Sequence, residues 1–85
     1  MKQFTYIIKD RIGIHARPAT ILAQEARKFE CEIILEVKSK RVQVKDMMKV
    51  MSMTIKQGTE VLVTAKGSDE DAAIKRFAEI MRQNM

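Results

Sequence analysis

Apolar residues along this 85-residue chain recur with two different periods, and the switches between those periods constrain its fold more than any other feature. Val61, Val63 and Ala65 alternate with other residues over Glu60 to Lys66, the period of a half-buried strand. Ala19, Leu22, Ala23 and Ala26 instead fall at i, i+3, i+4 and i+7, one face of a helix, with Pro18 near the start where its missing N–H costs nothing. Residues 3–8 are β-branched and aromatic enough for a first strand, and Asp10-Arg11-Ile12-Gly13 makes a loop into the helix, which spans Ala16 to about Lys28. Glu32 to Val37 reads as a strand, Lys38-Ser39-Lys40 as a tight turn, and Arg41 to Val44 as the partner strand of a hairpin. Asp46 caps a short helix through about Met53, Gly58 marks a turn, and Glu60 to Lys66 is the last strand. Ser68-Asp69-Glu70-Asp71 resembles a capping box, and Ile74, Phe77, Ala78 and Met81 give a terminal helix its apolar stripe. The order βαββαβα predicts an α+β layer structure, with helices covering one face of a mostly antiparallel sheet.

Length and composition predict a single domain over residues 1–85 with one modest core, at 46% hydrophobic and 32% charged residues. Cys31 is the only cysteine, so no internal disulfide can form; it reads as a small buried hydrophobe in a protein of a reducing compartment. The first residues lack a basic leader followed by an apolar core, and no apolar run approaches the roughly 18 residues that cross a bilayer. The expectation is a cytoplasmic protein without membrane insertion. Sixteen basic against eleven acidic residues leave a charge of +5, which steers the protein toward acidic partners. An RNA-binding domain would also expose aromatic residues for stacking; here Phe4, Tyr6, Phe29 and Phe77 are spaced like core residues, which argues against nucleic acid. One histidine and one cysteine cannot build a usual metal site, and no cofactor is implied.

That histidine carries the chemistry. Gly13-Ile14-His15-Ala16-Arg17-Pro18-Ala19 places His15 at or next to the N-cap of the first helix. The first helical turn leaves backbone N–H groups without partners, and its dipole favours an anion by about 0.3–1 kcal/mol. A neutral imidazole offers a nucleophilic lone pair that can take a phosphoryl group. Arg17 adds a permanently charged, forked set of donors suited to phosphate.

The segment GIHARPA resembles the active-site segment of HPr, the histidine-containing phosphocarrier family of the phosphoenolpyruvate-dependent sugar phosphotransferase system. Val44-Lys45-Asp46-Met47-Met48-Lys49-Val50-Met51-Ser52 resembles that family's second helix segment, and Lys56-Gln57-Gly58-Thr59-Glu60-Val61 its following turn and strand. The resemblance spans essentially the whole chain. It implies a four-stranded open-faced β-sandwich of strand order 1-4-2-3 with three helices on one face. It implies His15 as phosphoryl acceptor through Nδ1, with the N–H groups of Ala16 and Arg17 and the Arg17 guanidinium stabilising the group. It further implies a stoichiometric carrier rather than an enzyme, a monomer loaded by enzyme I and unloaded onto enzyme IIA of sugar transporters.

Seven methionines is high for 85 residues, and Met47, Met48, Met51 and Met53 crowd a helix too short to bury them all. Met47 or Val50 should face the core, leaving Met48 and Met51 exposed, where flexible thioethers suit a surface that fits several partners. By the resemblance, Ala16, Arg17, Thr20, Met47, Met48 and Met51 form a docking patch around His15, with Lys45 and Lys49 as a basic rim.

The chain departs from the family pattern at three positions. Position 46 is a serine phosphorylated by a dedicated kinase in many Gram-positive relatives, whereas Asp46 has no hydroxyl and either caps the helix or imitates part of a phosphoserine's charge. Lys49, where glycine is common, can offset that charge. Ile12 replaces a small polar residue, removing any side-chain help to phosphate from that position. A regulatory module on the same fold, phosphorylated at His15 without a main role in sugar uptake, stays open as the alternative.

Overall fold

The computed structural model describes residues 1–85, and its elements follow the expected order. They are β1 (Lys2–Ile7), α1 (Ala16–Ala26), β2 (Glu32–Val37), β3 (Lys40–Gln43), α2 (Met47–Ser52), β4 (Glu60–Lys66) and α3 (Glu70–Asn84). The strands form one sheet in the order β1-β4-β2-β3, with every neighbouring pair antiparallel. Register sets the two faces apart. Phe4 and Tyr6 lie opposite Val63 and Val61, and Ile33 and Leu35 flank β4 from the other side at Ala65 and Val63. This face is buried under the helices, in one cluster with Ala19, Leu22 and Ala26 of α1, Val50 of α2, and Ala73, Phe77, Ile80 and Met81 of α3. The alternate residues Gln3, Thr5, Leu62, Thr64, Ile34, Glu36 and Arg41 lie on the open face, partly or fully exposed. No helix is long and apolar enough to cross a membrane.

Element ends differ from expectation where local tethers intervene. The first strand closes at Ile7, yet buried Ile8 continues its pairing through bonds with Thr59 and Gly58 at 3.0 and 2.8 Å. Helix α1 stops at Ala26, and Arg27 and Lys28 taper off it; the Lys28 N–H donates to the Glu25 carbonyl three residues back. The hairpin turn is Lys38-Ser39 alone, because Val37 pairs with Lys40, and Lys38 holds φ 57°. Val44 falls just beyond β3 while its N–H still donates to Ile33.

The capping box is not formed. Helix α3 begins at Glu70, and its own Oε1 accepts from Gly67 N at 3.0 Å. The Asp69 carboxylate turns away to accept from the N–H groups of Glu30 and Cys31, at 2.8 and 2.9 Å, holding the entry to β2. A demand from residues 38 and 39 positions away is invisible to a local capping pattern. The apolar stripe is also rotated: Ala73, Phe77, Ile80 and Met81 are buried, while Ile74 and Ala78 sit half-buried on its flank.

Candidate functional site

The loop before α1 is fixed at both ends. Asp10 N donates to Met85 O at 2.8 Å, Asp10 Oδ1 accepts from Ile12 N at 2.8 Å, and the Asp10 carbonyl accepts from Gly13 N at 3.0 Å. Gly13 holds φ 82° with its α-carbon against the Ile55 carbonyl, where a Cβ would overlap that oxygen and lie 2.8 Å from the Lys56 α-carbon. Ile14 is buried, and its N–H donates to the Ile55 carbonyl at 2.9 Å.

His15 leaves this anchored stretch as the N-cap of α1 in an extended conformation, its carbonyl accepting from Ala19 N at 3.0 Å. The half-buried imidazole makes no cap hydrogen bond. The N–H groups of His15, Ala16 and Arg17 donate to no acceptor in the protein, and Pro18 has none to donate. Three consecutive orphan donors therefore lie at the helix terminus that His15 caps, and no acidic side chain occupies the first turn. Arg17 is exposed and enters no ion pair. His15 and Arg17 share a cleft of about 220 Å³ with Asp10 and Ile21 and, from the end of α3, Gln83 and Asn84. Sequence reasoning missed Asp10, Gln83 and Asn84. The last two reach the site only because α3 returns along α1, and no local signal announces that.

Helix α2 lies beside α1. The Thr20 hydroxyl donates to the Ala16 carbonyl at 2.7 Å and meets the Met47 sulfur at 3.0 Å. Met47 packs half-buried against the core and Val50 is buried, which turns Met48 and Met51 outward at 68% and 36% exposure. Ile12 is also exposed, at 70%, on the loop leading to His15. Lys49 is exposed beside Met48. Lys45 lies toward the opposite end of α1 from His15, where its carbonyl accepts from Arg27 Nη2 at 3.3 Å. Arg27 therefore adds a cation there that the sequence did not single out. Asp46 is the N-cap of α2, its Oδ1 accepting from Lys49 N at 3.2 Å. No three His, Cys, Asp or Glu side chains gather as a metal ion would need.

Fold and site together define a class: small open-faced sandwich proteins that present one histidine at a helix N-terminus. The family model for the PTS HPr component phosphorylation site matches residues 2–83. The phosphocarrier protein HPr of Mycoplasma capricolum is 44% identical over 81 residues, covering 95% of this chain and 91% of that protein. The solved structure of a Mycoplasma histidine-containing phosphocarrier protein superposes with a TM-score of 0.94 at 43% identity, covering 96% and 93% of the two chains. An HPr structure from Thermoanaerobacter tengcongensis gives 0.92 at 40% identity, covering 98% and 93%. The chain belongs to the HPr family of phosphocarrier proteins of the phosphotransferase system.

Proposed function

We propose that His15 accepts a phosphoryl group from enzyme I, itself charged from phosphoenolpyruvate, and passes it to an enzyme IIA of a sugar transporter in the cytoplasm. The observation that carries this reading is the conjunction at one helix terminus of a free imidazole, three orphan N–H groups and an unpaired arginine. The Nδ1 lone pair forms an N–P bond as the bond from phosphorus to the donor breaks. In the product, the Ala16 and Arg17 N–H groups and the guanidinium meet the phosphoryl oxygens, and the helix dipole adds to their field. Nothing irreversible is built in: an acceptor that binds the phosphoryl group as well takes it onward, so the protein is a stoichiometric relay.

Thr20, Met47, Met48 and Met51 extend the site into a surface on which enzyme I and enzyme IIA dock in turn, with Ala16 and Arg17 at its centre and Lys45 and Lys49 as basic flanks. Asp46 serves the fold as a cap, which supports a carrier outside serine-kinase control. The protein acts as a monomer, binds no nucleic acid and needs no cofactor. Incubation with phosphoenolpyruvate and enzyme I is expected to add one acid-labile phosphate per chain. Equal uptake by His15→Ala would overturn the assignment, and failure to restore sugar uptake in a strain lacking HPr would point to the regulatory branch instead.

A further inference from the structure

Away from His15, the β2–β3 turn and the segment after α2 border a second cavity, of about 500 Å³. Lys38, Lys40 and Lys56 line it with the hydroxyl-bearing Ser39, Thr54 and Thr59, and Val37 and Met53 supply its apolar part. None of its residues lines the His15 cleft. Its volume lies within the roughly 300–1,000 Å³ typical of small-molecule sites.

The three lysines border the cavity without any compensating carboxylate. None of them enters an ion pair, and no acidic residue lines the cavity, although the chain has eleven. Mutual repulsion of these cations is relieved by an anion between them.

Backbone conformation points to the same place independently. Two non-glycine residues in the chain hold left-handed backbone, Lys38 at φ 57° and Thr54 at φ 53°, and both line this cavity. The fold requires that conformation at each position. Lys38 opens a two-residue hairpin turn, and Thr54 ends α2 immediately after its C-cap, Met53. The fold does not require a lysine or a threonine there, since glycine or asparagine meets both demands with less strain. A β-branched residue in left-handed backbone is a marked outlier, and such strain collects at functional sites. What the two strained residues add is an ammonium-bearing and a hydroxyl-bearing side chain, at two positions that line the cavity.

We propose that this cavity binds a small molecule carrying two phosphate groups. Three ammonium groups match the charge of two phosphates better than that of one, and the cavity far exceeds a single phosphate in size. Ser39, Thr54 and Thr59 supply hydroxyl donors to the phosphate oxygens and to the polar body between them. The site operates independently of His15.

Inorganic pyrophosphate is the probe, titrated into the full chain at physiological ionic strength and followed by calorimetry and backbone amide NMR, with inorganic phosphate and phosphatidylglycerol vesicles as parallel arms. The expected result is saturable one-to-one binding of pyrophosphate, about tenfold tighter than phosphate, with amide shifts confined to residues 38–40 and 54–59. Lys38→Gln/Lys40→Gln/Lys56→Gln weakens binding by about tenfold or more, whereas Lys2→Gln/Lys66→Gln/Lys75→Gln, with the same change in net charge, and His15→Ala leave it intact. Thr54→Gly relieves the strain and weakens binding about threefold through loss of one hydroxyl. Absence of saturation, equal loss in the two triple variants, shifts centred on Ala16 and Arg17, or capture of vesicles at these lysines without pyrophosphate binding would each overturn the proposal.

Discussion

Gly13 and Ile55 meet backbone to backbone, with the glycine α-carbon against the carbonyl oxygen that also accepts from Ile14 N at 2.9 Å. This contact joins the segment after α2 to the loop that aims His15. Gly13→Ala is expected to destabilise the protein by about 2 kcal/mol or more, since it adds left-handed strain of about 1–2 kcal/mol to a collision with backbone. The folded fraction should also transfer phosphate up to about a hundredfold more slowly, because a shift of an ångström at the reacting group has that effect. Gly58→Ala is the control. Gly58 holds φ 86° with nothing within 4 Å of an added Cβ, so it should show the conformational cost alone and normal transfer. Urea denaturation and single-turnover phosphorylation separate the two contributions.

How much of this was legible in the sequence depends on how far apart the interacting residues lie. The helix N-terminus at His15 is a contiguous pattern, so Pro18, the Ala19–Ala26 stripe and Arg17 announce it before any fold is known. Strand alternation around Val61–Ala65 is equally local. The Asp69 carboxylate reads as part of a cap and instead serves Glu30 and Cys31 across the molecule. Gln83 and Asn84 have no local reason to border His15, and Lys45 reads as a neighbour of Met47 without revealing that it sits by Arg27. Periodicity reports which face of an element is buried; it carries no information on which element arrives to cover it.

Arg17 makes no contact that holds the fold, being exposed and unpaired. Arg17→Ala should therefore leave stability within about 0.5 kcal/mol of the parent. Loss of charged hydrogen bonds to the transferring group, worth about 1.5–3 kcal/mol, should slow phosphoryl uptake roughly ten- to a hundredfold. Arg17→Lys should recover only part of the rate, since an ammonium lacks the planar fork. Rapid-quench measurement of phosphohistidine formation checks both variants, and an Arg17→Ala protein that transferred normally would remove the guanidinium from the mechanism.

Asp69 gives the fold a dependence on acid. The Glu30 N–H bonded to it, followed by the Cys31 side chain, holds its carboxyl below the usual carboxylate range. A carboxyl depressed in the folded state contributes its stability above the unfolded value, near 3.9, and loses it as pH falls through the folded value. The urea midpoint should accordingly drop on acidification below about pH 4. Asp69→Asn should be less stable at neutral pH, and its difference from the parent should shrink as the solution is acidified. A difference that stays constant with pH would show that the carboxylate charge plays no part in tying α3 to β2.

Thr54 makes stability and anion binding move in opposite directions. Its left-handed conformation costs about 1–2 kcal/mol relative to glycine, offset in part by the greater unfolded-state freedom of glycine, about 0.5–1 kcal/mol. Thr54→Gly should raise stability by roughly 0.5–1 kcal/mol, a gain of several degrees in Tm for a domain of this size. Ordinary exposed threonines, such as Thr5 in β1, should lose stability on the same substitution, because glycine weakens a strand. Calorimetry of the two variants side by side tests whether strain is localised at position 54.

The methionines divide by burial, and their variants should divide with them. Met53 is 8% exposed and closes the end of α2 over the core, whereas Met48 is 68% exposed beside Met51. Met53→Ala removes core volume and should cost about 2–5 kcal/mol. Met48→Ala removes a side chain that the folded protein does not use, so stability should stay within about 0.5 kcal/mol of the parent. If Met48 anchors a docking partner, its truncation should raise the KM of enzyme I for this protein about fivefold or more, the loss expected from removing a central interface side chain, while kcat changes little. Steady-state kinetics with phosphoenolpyruvate and enzyme I distinguish the cases: an unchanged KM in Met48→Ala would remove this α2 side chain from the docking surface, because the chemistry at His15 is the same in both proteins and only the contact area differs.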